Sequence, residues 1–240
     1  MLSQSRFTKI VIALLMVCLT VTASAQRPDA PTYAQRGAYP VGTRDLDIAT
    51  ETALPITIWY PALNPNNLAE SITYPYVVKF DGLPADGASV TGQAIADAEF
   101  DLSGAPYPLV VLSPGYAAGR TAYAWLAEHL ASHGFVVIAP EHNEVLLNFD
   151  PSMSEFWRSA FTRPQEIADV FAYVDEQSAA GGVFEGLFDP QTVAIIGHSY
   201  GGYTTLAAGG AALDINNFAD RCAISADDPD SWLCNLFTPY

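Results

Sequence analysis

Three short apolar runs decide what this chain can fold into. Leu109-Val110-Val111-Leu112, Phe135-Val136-Val137-Ile138-Ala139 and residues 192–196 are continuous rather than alternating, the pattern of strands buried on both faces. Between the first and second, Ala122, Trp125, Leu126, His129, Leu130 and His133 recur at three- and four-residue steps, which predicts a helix that Gly134 stops. Between the second and third, residues 162–177 predict another, with Pro164 in its first turn and Ile167, Val170, Phe171 and Val174 on one face. Strand, helix, strand, helix, strand imposes right-handed crossovers, so the expected class is α/β with a mostly parallel sheet and crossover helices. Upstream, residues 45–49 and 55–60 read as short strands. In the second, Ile56, Ile58 and Tyr60 alternate with Thr57 and Trp59, as in a half-exposed hairpin partner. Residues 62–108, rich in Asn, Gly, Pro and Asp, read as a long insertion with short local elements.

The first 25 residues read as an address. Arg6 and Lys9 precede a twelve-residue apolar stretch, 10–21, and Ala23-Ser24-Ala25 offers the small residues of a cleavage site. A stretch that short does not comfortably span about 30 Å of hydrocarbon, so a cleaved secretory signal is expected, with no stable membrane span afterwards and a secreted or periplasmic destination. Residues 26–38 then read as a mobile, Pro- and Ala-rich lead-in, and 39–240 as the folded domain. The chain has ten Lys and Arg against 26 Asp and Glu, a net charge of −16; cleavage removes two basic residues and no acidic ones, leaving −18. With no basic surface to neutralise phosphates, nucleic acid is excluded as a general partner, and an anionic membrane surface is disfavoured. Cys222 and Cys234 would remain in an oxidising compartment, where a disulfide between them is expected.

The chemistry concentrates where the third strand ends. Gly197-His198-Ser199-Tyr200-Gly201 fits the G-x-S-x-G pattern, with an apolar strand before it and a helix-compatible run of small residues after it. A serine there sits on a strained turn with its hydroxyl projecting at the C-terminal edge of the sheet, and the flanking glycines permit close backbone approach. Ser199 is therefore the expected nucleophile. The oxyanion formed in acyl transfer needs donors, and two backbone N–H groups are placed for it: that of Tyr200, which follows the nucleophile, and that of Tyr116, in the Ser113-Pro114-Gly115-Tyr116 turn after an earlier strand.

With these residues in view, the chain resembles the platelet-activating-factor acetylhydrolase and "predicted dienelactone hydrolase" group. The resemblance rests on Tyr39-Pro40-Val41-Gly42-Thr43-Arg44, Ile58-Trp59-Tyr60-Pro61, the stretch 113–123, Ala131-Ser132-His133-Gly134-Phe135, Glu141-His142, Arg163-Pro164 and the Gly-His-Ser-Tyr-Gly-Gly elbow, in the same order. It implies a secreted or lipid-facing α/β-hydrolase that cleaves small-molecule or lipid carboxylic esters with Ser, Asp and His, without metal or other cofactor. Two departures stand out. The group usually has histidine where Pro114 stands, and Ser-Pro-Gly-Tyr is similar to bacterial cutinase-like polyester hydrolases. The nucleophile is serine, whereas true dienelactone hydrolase uses cysteine.

In an α/β-hydrolase the acid and the histidine follow the serine. All four histidines, at 129, 133, 142 and 198, precede Ser199; Asp214, Asp220, Asp227, Asp228 and Asp230 follow it. The expectation is accordingly of an N-terminal part of a longer reading frame whose triad acid and histidine lie beyond residue 240, with the strand at 192–196 left as an unprotected sheet edge. His142 follows a strand at the nucleophile's edge of the sheet and reads as a rim residue rather than a substitute base. His129 and His133 read as packing residues or dipole-compensating ones at a helix C-terminus, and His198 as pointing into packing. Asp227-Asp228-Pro229-Asp230 reads as a solvated acidic loop rather than a calcium site. A serine esterase leads; a cutinase-like polyester hydrolase, or a catalytically incomplete binding protein, is the alternative.

Overall fold

The aliphatic runs become the middle of a six-stranded sheet. A computed structural model of the chain describes residues 31–76, 88–144, 154–212 and 214–224. The chain divides into two units, Met1–Arg36 and Gly37–Tyr240. Of the first, residues 31–36 are described and hold a single 3₁₀ turn, Thr32–Ala34; the signal expected at 1–25 lies outside the described residues. The last residues of the expected lead-in belong to the second unit, where the Gly37 N–H donates to Ser132 Oγ (2.8 Å) and the Tyr39 N–H to Ser132 O (3.1 Å).

The second unit runs β1 (Val41–Ile48), β2 (Leu54–Pro61), β3 (Ile72–Tyr76), β4 (Ala88–Gly92), β5 (Ile95–Ala96), β6 (Tyr107–Ser113), α1 (Ala124–Ser132), β7 (Val136–Pro140), α2 (Ser154–Ser178), β8 (Phe188–Gly197), α3 (Tyr200–Ala208) and α4 (Ile215–Ile224). The sheet order is β5-β1-β2-β7-β6-β8, and β3 and β4 form a separate hairpin within the insertion. β6 pairs in parallel with β7 and β8, whereas β2 is antiparallel to both β1 and β7. Val111 opposes Ile138, and Ser113 opposes Gly197, so β6, β7 and β8 deliver their C-terminal ends to one edge of the sheet.

Burial explains the continuous apolar runs. Ile56, Ile58, Leu109, Val111, Val136 and Ile138 face one side, where Ile167, Val170 and Val174 of α2 cover them with Phe184 and Leu187. Trp59, Val110, Leu112, Val137 and Ala139 face the other, against Ala124, Ala127 and Ala131 of α1. With both faces covered, alternation in hydrophobicity disappears. The same fact corrects the reading of β2. It is not a half-exposed hairpin partner: Ile56, Ile58, Trp59 and Tyr60 are fully buried, because β2 lies inside the sheet.

Three further expectations shift. The buried face of α1 is Ala124, Ala127, Glu128, Ala131 and Ser132, one step from the predicted stripe, and Trp125 is 65% exposed. Small side chains let the helix lie close on the sheet, and this outweighs the larger apolar residues beside them. Glu128 is buried with them because its carboxylate accepts from the Tyr74 hydroxyl (2.7 Å) and the Gln93 N–H (2.9 Å), tying the insertion to α1. Second, α2 begins eight residues earlier than predicted, so Pro164 lies inside it rather than in its first turn. Third, β8 is not buried on both faces: Val193 and Ile196 are 45% and 37% exposed, and among the described residues β8 pairs only with β6. That is the open edge expected for it.

The small-residue face of α1 is open to direct test. Ala127→Leu should overpack the contact with the sheet and destabilise the fold by about 1–3 kcal/mol, while Trp125→Ala should stay within about 0.5 kcal/mol of wild type. Urea denaturation of both variants reads this, and the reverse ranking would restore the Trp125 face as the buried one.

Candidate active site

The elbow is built by steric exclusion. Ser199 stands between β8 and α3 with φ +54° and ψ −120°, a conformation that non-glycine residues rarely adopt, and its side chain is exposed. A Cβ on Gly197 would collide with the Gly201 carbonyl, and one on Gly201 with the carbonyls of Ser113 and Pro114. Both glycines are thus dictated by backbone packed on backbone. The expected strained turn is present, with its serine at the C-terminal edge of the sheet.

The turn after β6 lies directly against it. The His198 N–H donates to Ser113 O (3.3 Å), and a Cβ on Gly115 would sit 3.6 Å from Ser199 Cβ. Tyr116 follows Gly115, and Tyr200 opens α3, where the first amides of a helix lack intrahelical acceptors. The rings of these two residues meet edge to face at 5.5 Å, and each packs on Phe156 of α2, at 5.2 and 4.5 Å. The Tyr200 hydroxyl donates to Phe156 O (2.7 Å). The structure therefore brings together Ser199, Tyr116 and Tyr200.

The histidines distribute differently from expectation. His142 is not a rim residue: it is 1% exposed, with both ring nitrogens engaged. Its Nδ1 lies 2.6 Å from Glu166 Oε2, and its Nε2 lies 2.8 Å from Ser113 Oγ. Burial, ahead of every other influence, pushes its pKa down, so the ring is neutral. For Glu166, burial opposes ionisation, but the hydrogen bonds from the His142 ring and the Asn143 N–H, with the Arg163 charge, outweigh it, and its pKa falls. An ionised Glu166 only accepts, so Nδ1 carries the proton, Nε2 accepts, and Ser113 Oγ donates. His198 does not point into packing. It is exposed, with Nδ1 2.5 Å from the Tyr123 hydroxyl, because β8 is open on that side. His129 and His133 pair ring to ring at the C-terminal end of α1. No hydrogen bond joins Ser199 to any of the four. Asp227, Asp228 and Asp230 lie outside the described residues, as does Cys234, and no metal-binding group of side chains occurs among the described residues. Asp214 and Asp220 flank or lie in α4.

A second buried group was given no role in the sequence reading, although Arg163 is among the residues that carry the resemblance. Arg163 is fully buried and forks onto Glu144, with Nε at 2.8 Å from Oε2 and Nη2 at 2.5 Å from Oε1. The signal was present in α2: positions 163, 166, 167, 170 and 174 form one stripe whose first two members are charged. A buried stripe that begins with charges marks a polar site beneath the helix.

Acid titration checks the His142 assignment. The unfolded chain protonates this ring near its ordinary value of 6.5, whereas the folded chain does so only at lower pH, so stability falls as pH drops below 6.5. Glu166 acts the same way further down: its contribution is complete above its ordinary value of 4.5 and is lost as pH falls through its depressed one. His142→Gln should be less stable than wild type at pH 7.5 but lose less between pH 7 and 5 in thermal melts. An equally steep loss in the variant would rule out a buried neutral His142.

Known proteins bear on this geometry. The family model described as platelet-activating factor acetylhydrolase, isoform II, matches residues 24–146, and that described as PET hydrolase-like matches residues 97–223. Cutinase est2 of Thermobifida alba is 33% identical over 42% of this chain and 29% of its own length. Platelet-activating factor acetylhydrolase of Cavia porcellus is 27% identical over 71% of this chain and 50% of its own. The chain thus spans half or less of these relatives. A solved ferulic acid esterase from Streptomyces cinnamoneus superposes with a TM-score of 0.53 at 25% identity, covering 75% of this chain and 57% of that one. With half of its length matched by each model, and with a strand, elbow and helix of that fold around Ser199, the chain belongs to the α/β-hydrolases of the platelet-activating factor acetylhydrolase isoform II and PET hydrolase-like families.

Proposed function

We propose that this chain is the nucleophile-bearing part of a secreted serine esterase acting on carboxylic esters with short or lipid-like acyl groups. One observation carries the reading: an exposed Ser199 held at φ +54° on a strand-to-helix elbow, packed against the Gly115 turn. In the reaction Ser199 Oγ attacks the ester carbonyl, and the carbonyl oxygen gains negative charge that the Tyr116 and Tyr200 N–H groups receive. Collapse of the tetrahedral adduct then expels the alcohol and leaves an acyl-serine for water to cleave. A serine hydroxyl is a weak nucleophile until a base takes its proton, and none of the four imidazoles is bonded to it.

A polyester or cutin substrate is the second reading. It is favoured by the Ser113-Pro114-Gly115-Tyr116 turn and by the PET hydrolase-like match, which spans both that turn and the elbow. Export accords with the apolar leader, with cutinase relatives, and with the absence of a helix long and apolar enough to cross a membrane among the described residues. A disulfide between Cys222 of α4 and Cys234 belongs to the same proposal, supported by an oxidising destination. Action on lipid esters is proposed on the strength of the acetylhydrolase likeness.

On long incubation a fluorophosphonate probe should label wild type at Ser199, slowly because no base is bonded to the hydroxyl, with the site located by peptide mass spectrometry, and should not label Ser199→Ala. Labelling that persists in Ser199→Ala would refute the nucleophile. Because no imidazole is hydrogen-bonded to Ser199, these 240 residues should hydrolyse p-nitrophenyl acetate about 10⁴–10⁶-fold more slowly than an intact triad would. Full enzymatic turnover would show that another group supplies the base. Mass spectrometry of exported protein should find Gln26 as the first residue; retention of residues 10–21 would exclude cleavage.

A further inference from the structure

The structure assigns Arg163 a positioning role: its guanidinium, held by Glu144, fixes the direction of the Tyr116 N–H that faces the oxyanion. This rests on the serine-esterase reading above and goes beyond it by naming what sets the hole. Arg163 Nη1 donates to Pro114 O (2.8 Å) and Nη2 to Gly115 O (3.0 Å). In a trans peptide the C=O and N–H point in opposite directions. Anchoring the Gly115 carbonyl therefore turns the Tyr116 N–H away from Arg163, and anchoring the Pro114 carbonyl does the same for the Gly115 N–H. The pair grips the turn at a third point, since Glu144 Oε1 accepts from the Ala117 N–H (2.6 Å), where φ is +60°. The cation also lies 4.9 Å from the centroid of the Tyr200 ring, so it touches the residue that carries the other donor.

Electrostatics adds to orientation. A cation on the Gly115 carbonyl polarises that amide and strengthens its N–H as a donor. Arg163 has no exposed surface and Glu144 is 3% exposed, so water screens this little. Lysine does not reproduce the arrangement, because only the planar fork reaches two successive carbonyls and two carboxylate oxygens together. No proton leaves Arg163, and it touches no reacting atom; it acts through the backbone of residues 114–117.

The test is the phosphonylation of Ser199 by a fluorophosphonate, whose phosphoryl oxygen occupies the same hole, measured over a range of probe concentrations per folded molecule. Arg163→Lys keeps the charge but loses the fork. A double variant, Arg163→Met with Glu144→Gln, removes both charges, so that neither is stranded in the interior. The maximal phosphonylation rate should fall about 10²–10³-fold in the double variant and less in Arg163→Lys, while the half-saturating probe concentration stays within about threefold. A purely structural role would lower the folded fraction or melting temperature without changing that rate per folded molecule, and such a result would overturn the assignment. Crystal structures of both variants give a second readout independent of chemistry: the Gly115–Tyr116 peptide should rotate, and an unchanged peptide in both would also overturn it. If wild type fails to label at Ser199, the esterase reading falls, and the peptide orientation alone decides whether Arg163 sets the turn.

Discussion

Because β6 and β8 pair in parallel with Ser113 beside Gly197, the two loops that matter leave the sheet side by side. The contact is backbone on backbone: His198 N–H to Ser113 O, and Gly201 against the carbonyls of Ser113 and Pro114. A shift of one residue in this pairing would turn every side chain of β8 to the opposite face. It would also carry the elbow away from the turn that receives it. The glycines at 197 and 201, the exposure of Ser199 and the apposition of Gly115 all follow from that register.

Around this contact the protein places an unusual number of ionisable groups out of water. His142, Glu144, Arg163 and Glu166 are all buried. Buried charges of this kind are seldom net stabilising against an apolar replacement. Their value here lies in direction: each is bonded to a backbone group or a hydroxyl of the β6 turn or the loop after β7. Ser113 is held by His142, Pro114 and Gly115 by Arg163, Ala117 by Glu144, and Asn143 by Glu166. A loop bound at so many points has little freedom left to lose when an ester docks.

Much of this was legible in the residues. Three continuous aliphatic runs announced strands covered on both faces, and the elbow announced itself because only glycine survives where carbonyls crowd. What misled was mostly local. The predicted face of α1 followed side-chain size, while the real face follows how closely the helix can approach the sheet, which favours Ala124, Ala127 and Ala131. β2 read as half-exposed because Thr57 interrupts its aliphatic residues, yet Thr57 is buried with its hydroxyl bonded to Asp45 Oδ1 (2.5 Å). His142 looked like a surface residue because its partners, Ser113 and Glu166, are 29 and 24 residues away in sequence. A single chain read alone gives no hint of such partnerships until the fold closes them.

The backbone at Ser199 carries a consequence for how such a protein changes over generations. A non-glycine residue held at φ +54° and ψ −120° costs of the order of 1–3 kcal/mol. Glycine would relieve that strain. Selection for stability alone would therefore drift this position away from serine, and only a requirement for the hydroxyl opposes it. In a lineage that had abandoned ester cleavage, position 199 would be among the first to erode. A serine in so unfavourable a conformation accords with the nucleophile proposed for it.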